Sequence, residues 1–195
     1  MIISHRWKFI FIKTRKTAGS SIEAALASIL GPDDVATGSV RDGTPRLNCP
    51  DRVTGHWGWR RIVGLAGEEA FWGYRRFCVE RNAYDKSVSD WLYHRDRLRD
   101  TALPLADYIE HKGPSDWDRY TQSGTPIAQV LRFENLAEEF AAQCGVMGLP
   151  RIGLERYQLK RNPARRSAAD YHDERSCAAV TQIFANELRH FGYAQ

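Results

Sequence analysis

Apolar positions along this chain follow two periods, and the switches between them mark its elements. Phe9-Ile10-Phe11-Ile12 is a short β-prone run bounded by charge, after which Ile22, Ala25, Leu26, Ile29 and Leu30 recur at helical spacing until Gly31-Pro32. The pattern predicts a strand at residues 9–12, a turn, and a helix. Residues 33–51, rich in Gly, Pro, Asp and Thr, have no period and read as a long surface loop able to border a cleft. Residues 60–71 suit a short helix and 74–81 a second strand. Asn82 opens another helix, with Tyr84, Val88, Trp91, Leu92 and Arg95 on one face and Asp85 in its first turn, where a carboxylate complements the helix dipole. Residues 127–133 are a third candidate strand, and Leu136, Phe140, Cys144 and Met147 line one side of a helix over 136–147. The tail from 170 to 190 reads as a helix, acidic at Asp173 and Glu174, basic at Arg189 and His190, with Val180, Ile183, Phe184 and Leu188 as its buried stripe.

Strands alternating with helices predict an α/β fold: a three-layer, P-loop-like domain with a mainly parallel central sheet flanked by helices, its ligands beyond the C-terminal ends of the strands. At 195 residues, with 43% hydrophobic and 11% aromatic composition, the chain is most simply one domain, 1–195, with a substantial core. Nothing approaches the roughly 20 apolar residues of a membrane helix, so no membrane span is expected. Cys49, Cys78, Cys144 and Cys177 lie far apart without C-x-x-C or metal-type His spacing, which predicts reduced thiols in a cytoplasmic protein and no metal.

The formal net charge of +4 is modest but unevenly spread. Residues 1–16 hold Arg6, Lys8, Lys13, Arg15 and Lys16 without an acid, and Arg151, Arg156, Lys160, Arg161, Arg165 and Arg166 form a second cluster against Glu155 alone. Two separated cationic clusters suit a ligand with two anionic ends, nucleic acid, or simply a solvated surface.

The turn between the first strand and helix sharpens that choice. It runs Lys13-Thr14-Arg15-Lys16-Thr17-Ala18-Gly19-Ser20-Ser21. Unpaired N–H groups and the positive end of a helix dipole favour an anion there, and Lys16 with the hydroxyls of Thr17, Ser20 and Ser21 adds charge and donors. A phosphate or sulfate fits. The second strand-to-helix turn, Arg81-Asn82-Ala83-Tyr84-Asp85-Lys86-Ser87-Val88-Ser89, sets Arg81 at a strand end eight residues before Ser89. A guanidinium fork and a small hydroxyl together suit one phosphate.

In combination the two turns resemble those of sulfotransferases that use 3′-phosphoadenosine 5′-phosphosulfate (PAPS), in the carbohydrate-type branch. A K-T-x-x-S/T-S/T turn is matched by Lys16-Thr17-Ala18-Gly19-Ser20-Ser21, and an R-N-P-x-D/E-R/K-x-x-S segment by residues 81–89, with Ala83 in place of the usual proline. Gly55-His56, Leu131-Arg132-Phe133-Glu134-Asn135-Leu136 and Phe191-Gly192-Tyr193 extend the similarity along most of the chain. The resemblance implies a sulfuryl transfer from PAPS to an acceptor hydroxyl of a small molecule or glycan, releasing adenosine 3′,5′-bisphosphate. It implies that Lys16 contacts the 5′-phosphate and bridging oxygen, that Thr17, Ala18, Gly19, Ser20 and Ser21 line the loop, and that Arg81 and Ser89 hold the 3′-phosphate. The stretch around Arg161 and Arg165 resembles a late loop that closes over the nucleotide. His56 is the leading candidate for the base, since its unperturbed pKa is near neutrality and Gly55 and Gly58 leave room beside it; Glu80 and Glu23 are alternatives.

A nucleotide kinase or ATPase also uses strand, phosphate loop and helix, but G-x-x-x-x-G-K-S/T places glycine before lysine, whereas here Gly19 follows Lys16. A non-catalytic nucleotide- or nucleic-acid-binding protein is the remaining alternative; it predicts steeply salt-dependent binding without preference for PAPS over ATP. Nucleic acid is not the expected partner.

Overall fold

The computed structural model of the chain describes residues 1–39, 43–113, 115–157 and 166–194. In chain order its strands and helices are β1 (Ile2–Ser4), β2 (Phe9–Phe11), α1 (Gly19–Leu26), β3 (Val35–Thr37), β4 (Arg46–Leu47), α2 (Trp59–Ala66), α3 (Glu68–Gly73), β5 (Arg75–Glu80), α4 (Ala83–Leu92), α5 (Leu105–Lys112), α6 (Trp117–Tyr120), β6 (Thr121–Gln122), β7 (Thr125–Pro126), β8 (Gln129–Arg132), α7 (Leu136–Val146), α8 (Glu174–Ile183) and α9 (Ala185–Phe191). They divide between two compact units, Met1–Glu80 with Asp118–Arg161, and Arg81–Trp117 with Asn162–Gln195.

The first unit is built on a six-stranded sheet of order β4-β3-β1-β2-β5-β8. Phe9, Phe11, Phe77 and Val79 project to one face and pack with Ile22 and Leu26 of α1 and Phe140 and Cys144 of α7. Ile3, Ile10, Ile12 and Cys78, which alternate with them, are buried as well. Burial on both faces explains why residues 9–12 read as a continuous apolar run. The fold is therefore mixed α/β, with a central sheet flanked by helices.

That sheet corrects the expectation of a mainly parallel one. The pairs β2–β5 and β5–β8 are parallel, but β1–β2, β1–β3 and β3–β4 are antiparallel. The β1–β2 hairpin turns through residues 5–8, where Lys8 takes the left-handed φ of 55° that a tight reversal requires. The stretch expected to be loop, 33–51, contributes β3 and β4, which extend the sheet on the antiparallel side. Two predicted helices are each two: the first breaks at Gly67, whose φ of 82° lies outside the helical region, and the tail breaks at Phe184.

The second unit is helical. Ala83, Val88 and Leu92 of α4 pack with Leu105 and Ile109 of α5 and Ala179, Val180 and Phe184 at α8. Asn82 caps α4 by accepting from the Tyr84 N–H at 3.0 Å, and Asp173 caps α8 by accepting from the Ser176 N–H at 2.8 Å. Among the described residues, no helix is long and apolar enough to cross a membrane.

Candidate active site

In the first unit, β2 delivers the chain into the turn at residues 12–18. Ile12 N–H donates to the Phe77 carbonyl at 2.9 Å, prolonging the parallel pairing with β5. Thr14 donates to the Val79 carbonyl and shares a 2.8 Å hydroxyl contact with Thr17, which also donates to the Thr14 carbonyl at 3.2 Å. Both threonines are buried, so the Thr17 hydroxyl shapes the loop from beneath. Lys16 and Ala18 have φ of 59° and 60°, the left-handed region, with Thr17 between them outside it. Each such angle costs a non-glycine residue roughly 1 kcal/mol. Left-handed residues next to ordinary ones are the backbone pattern from which anion nests are made. Ala18 is also the N-cap of α1 and offers no side chain to it. A loop strained toward donors at an uncapped helix start fits a phosphate or sulfate.

Lys13, to which the sequence reading gave no role, is built into the same place. Its stem runs past Gly19: a Cβ there would lie 2.6 Å from Lys13 Cγ and 2.9 Å from Cε. Its Nζ donates to Glu23 Oε2 at 2.6 Å and to Ser20 Oγ at 3.4 Å. The Glu23 side chain is fully enclosed and also accepts from the Met1 amino group at 2.5 Å. Burial alone would raise the Glu23 carboxyl, but Met1 and Lys13 overcome it and hold it below its ordinary range. Burial pushes the Met1 amino group down to about 5, while Lys13 makes its own 2.6 Å ion pair with the other Glu23 oxygen.

Lys13→Met is therefore expected to destabilise the protein by about 3 kcal/mol at pH 7.5, the low end for removing one partner of a buried pair. The sign with pH follows from Glu23. A carboxyl depressed in the folded state stabilises above its unfolded pKa, and that contribution is lost as pH falls through the folded value. Urea denaturation of variant and wild type should therefore converge below about pH 4. A gap that stays constant with pH would show that Lys13 acts through packing alone.

His56 lies 43 residues from Lys13 in sequence, yet its Nδ1 sits 3.2 Å from the Lys13 carbonyl oxygen. A carbonyl only accepts, so Nδ1 carries the hydrogen and the neutral ring keeps its lone pair at Nε2. The His56 carbonyl accepts from the Arg119 guanidinium. Arg119 passes so close that a Cβ at Gly58 would fall 3.3 Å from its Cα. The alternative carboxylates are both enclosed and hydrogen-bonded: Glu23 as above, and Glu80, 1% exposed at the end of β5, as acceptor from the Tyr120 hydroxyl at 3.1 Å.

In the second unit, Arg81 opens the segment that becomes α4. It donates to Asp85 Oδ2 at 3.1 Å, and Asp85 and Ser89 follow it at intervals of four, one face of the helix. Ala83 begins α4 where the resemblance expects proline, and the Asn82 cap supplies the fixed start that proline would have given. Asn82 also donates from Nδ2 to the Ala194 carbonyl at 2.7 Å, anchoring the C-terminal tail. Arg161 and Arg165, with Lys160, lie outside the described residues. Lys13 and Arg119 are the site neighbours that sequence reasoning missed. Lys13 was visible only as part of a basic run, and nothing in the sequence pairs Arg119 with a carbonyl 63 residues away.

Among the described residues, no group of three His, Cys, Asp or Glu side chains is arranged to hold a metal ion.

This mixed sheet flanked by helices matches a sulfotransferase-like fold. A crystal structure of mouse sulfotransferase SULT7A1 complexed with PAP superposes with a TM-score of 0.52 over 96% of this chain and 86% of that one, at 11% identity. At that identity the likeness is one of fold. In sequence, an uncharacterized protein of Archaeoglobus fulgidus is 28% identical over 96 residues, 46% of this chain and 80% of that protein. No family model matches the chain.

Proposed function

We propose that this protein is a sulfotransferase that moves a sulfuryl group from PAPS to an acceptor hydroxyl and releases adenosine 3′,5′-bisphosphate. The observation that carries the reading is the turn at 14–19, where left-handed Lys16 and Ala18 shape a donor loop at the uncapped start of α1. The shared fold with a sulfotransferase supports it, as does the resemblance of residues 81–89 to a 3′-phosphate segment.

PAPS supplies an activated sulfuryl group whose departure leaves charge on a phosphate oxygen. Lys16 and the loop N–H groups of residues 17–21 stabilise that charge, and Arg81 with Ser89 holds the 3′-phosphate. His56 accepts the acceptor's hydroxyl proton at Nε2 as the new O–S bond forms and the bond from sulfur to the 5′-phosphate oxygen breaks. Lys13 and Arg119 position His56 through backbone contacts at each side of it. The motifs' likeness to the carbohydrate branch points to a carbohydrate or glycan acceptor, and the dispersed cysteines to a cytoplasmic setting. By the resemblance alone, Arg161 and Arg165 are assigned to nucleotide binding. The kinase reading is not favoured, because glycine follows the loop lysine.

Calorimetric titration with adenosine 3′,5′-bisphosphate, 5′-AMP and ATP tests the reading. The bisphosphate should bind about 100-fold more tightly than 5′-AMP, the scale of a buried charge pair. Arg81→Ala should remove most of that difference while leaving 5′-AMP affinity within about threefold. Equal affinities for all three nucleotides in the wild type would overturn the assignment.

A further inference from the structure

Helix α4 carries two buried ionisable groups that the proposed transfer does not use. Lys86 Nζ lies 3.0 Å from Asp116 Oδ2, with neither side chain exposed to solvent. One turn on, Asp90, 4% exposed, accepts from the Tyr108 hydroxyl at 2.9 Å. Lys86 and Asp90 are four residues apart and share a face; Asp85 and Ser89 occupy the neighbouring one, and Arg81, just before the helix, donates to Asp85.

The apolar residues of α4, Ala83, Val88 and Leu92, pack on non-directional contacts that by themselves tolerate a roll of the helix about its axis. An ion pair and a hydrogen bond do not, because both weaken steeply as their angles open. Enclosing an ammonium and a carboxylate is costly, and an apolar pair of similar volume commonly stabilises a fold equally well or better. What the two buried polar contacts add, beneath the more exposed hydrogen bonds of Tyr84 with Thr181 and of Trp91 with the Leu103 carbonyl, is a defined rotation of the inner face. That rotation sets where Arg81 and Ser89 point.

We infer that Lys86 and Asp116 are positioning residues that fix the roll of α4 and thereby give the site its preference for a 3′-phosphorylated nucleotide. This rests on the proposed assignment of the 3′-phosphate to Arg81 and Ser89. Lys86 acts through the helix and not on the ligand, because its Nζ is engaged with Asp116 and fully enclosed.

The test uses the full chain, Asp116→Asn, and the double variant Lys86→Met with Asp116→Leu. The double variant leaves no buried charge unpaired, so it keeps the question answerable if the single one fails to fold. For each, thermal denaturation is recorded, and affinities for adenosine 3′,5′-bisphosphate and 5′-AMP are measured by calorimetry. A misaimed ligand set costs up to about 100-fold, so the ratio of the two affinities should fall by at least roughly tenfold in the double variant, with 5′-AMP binding within about twofold of wild type. A wild-type ratio in the double variant, whatever its melting temperature, would overturn the inference and leave the proposed function standing. A wild type that does not distinguish the two nucleotides would overturn both.

Discussion

Lys16→Ala is expected to lower kcat by on the order of 10²–10³-fold while the Kd for adenosine 3′,5′-bisphosphate rises less than about tenfold. The asymmetry follows from when the charge appears. In the proposed transfer, backbone N–H groups of the loop would already meet the phosphate in the bound state, whereas the oxygen assigned to Lys16 would gain charge only as sulfur departs. Backbone strain must be separated from loss of the ammonium, since Lys16 has a φ of 59°. Lys16→Gly removes the same cation but relaxes that angle. Equal losses in the two variants would assign the effect to the side chain, and a milder loss in the glycine variant would assign part of it to loop shape. A variant that loses affinity and turnover in equal proportion would contradict the role.

His56→Asn should reduce kcat/KM by about 10²–10⁴-fold on an acceptor that the wild type sulfates. Asparagine has an N–H that can replace Nδ1 as donor to the Lys13 carbonyl, so the tie at 3.2 Å is retained in kind while Nε2 is deleted. Nucleotide affinity should therefore be unchanged, and the acidic limb of the pH–rate profile, where the ring takes up its proton, should disappear. Added imidazole should restore part of the activity of His56→Ala. Wild-type turnover in either variant removes His56 as base. Glu80 and Glu23 are both enclosed and hydrogen-bonded, so neither stands ready to take its place.

The parts legible from sequence are those whose signal is local. β2, β5 and β8 stand in short β-prone runs, and the helices after them show a 3.6 period, so the parallel half of the sheet and both strand-to-helix turns were readable. The antiparallel half was not. β3 and β4 have three and two residues, too few to display alternation, and they lie in a Gly- and Pro-rich stretch that reads as loop. β1 is an Ile-Ile pair followed by charges whose turn depends on Lys8 adopting a left-handed angle, a conformation no composition rule assigns to lysine. The same division holds in the site. Lys16, Arg81 and Ser89 stand in contiguous motifs, but the long-range contacts near them, His56 with the Lys13 carbonyl and Lys86 with Asp116, join residues 43 and 30 positions apart. Hydrophobic periodicity carries no record of such pairings.

Gly19 is not required by its own backbone angle, since its φ is not among the positive ones; it is required by the Lys13 stem beside it. The head of that stem is in turn committed to Glu23. The three positions thus form a chain of dependence in which the loop glycine can gain a methyl group only if residue 13 is shortened, and residue 13 can be shortened only if residue 23 gives up its charge. Single substitutions at any of them should be poorly tolerated, whereas Gly19→Ala with Lys13→Ser and Glu23→Gln should be accepted together. This makes the floor of the loop a unit of sequence change, inherited or lost as a set.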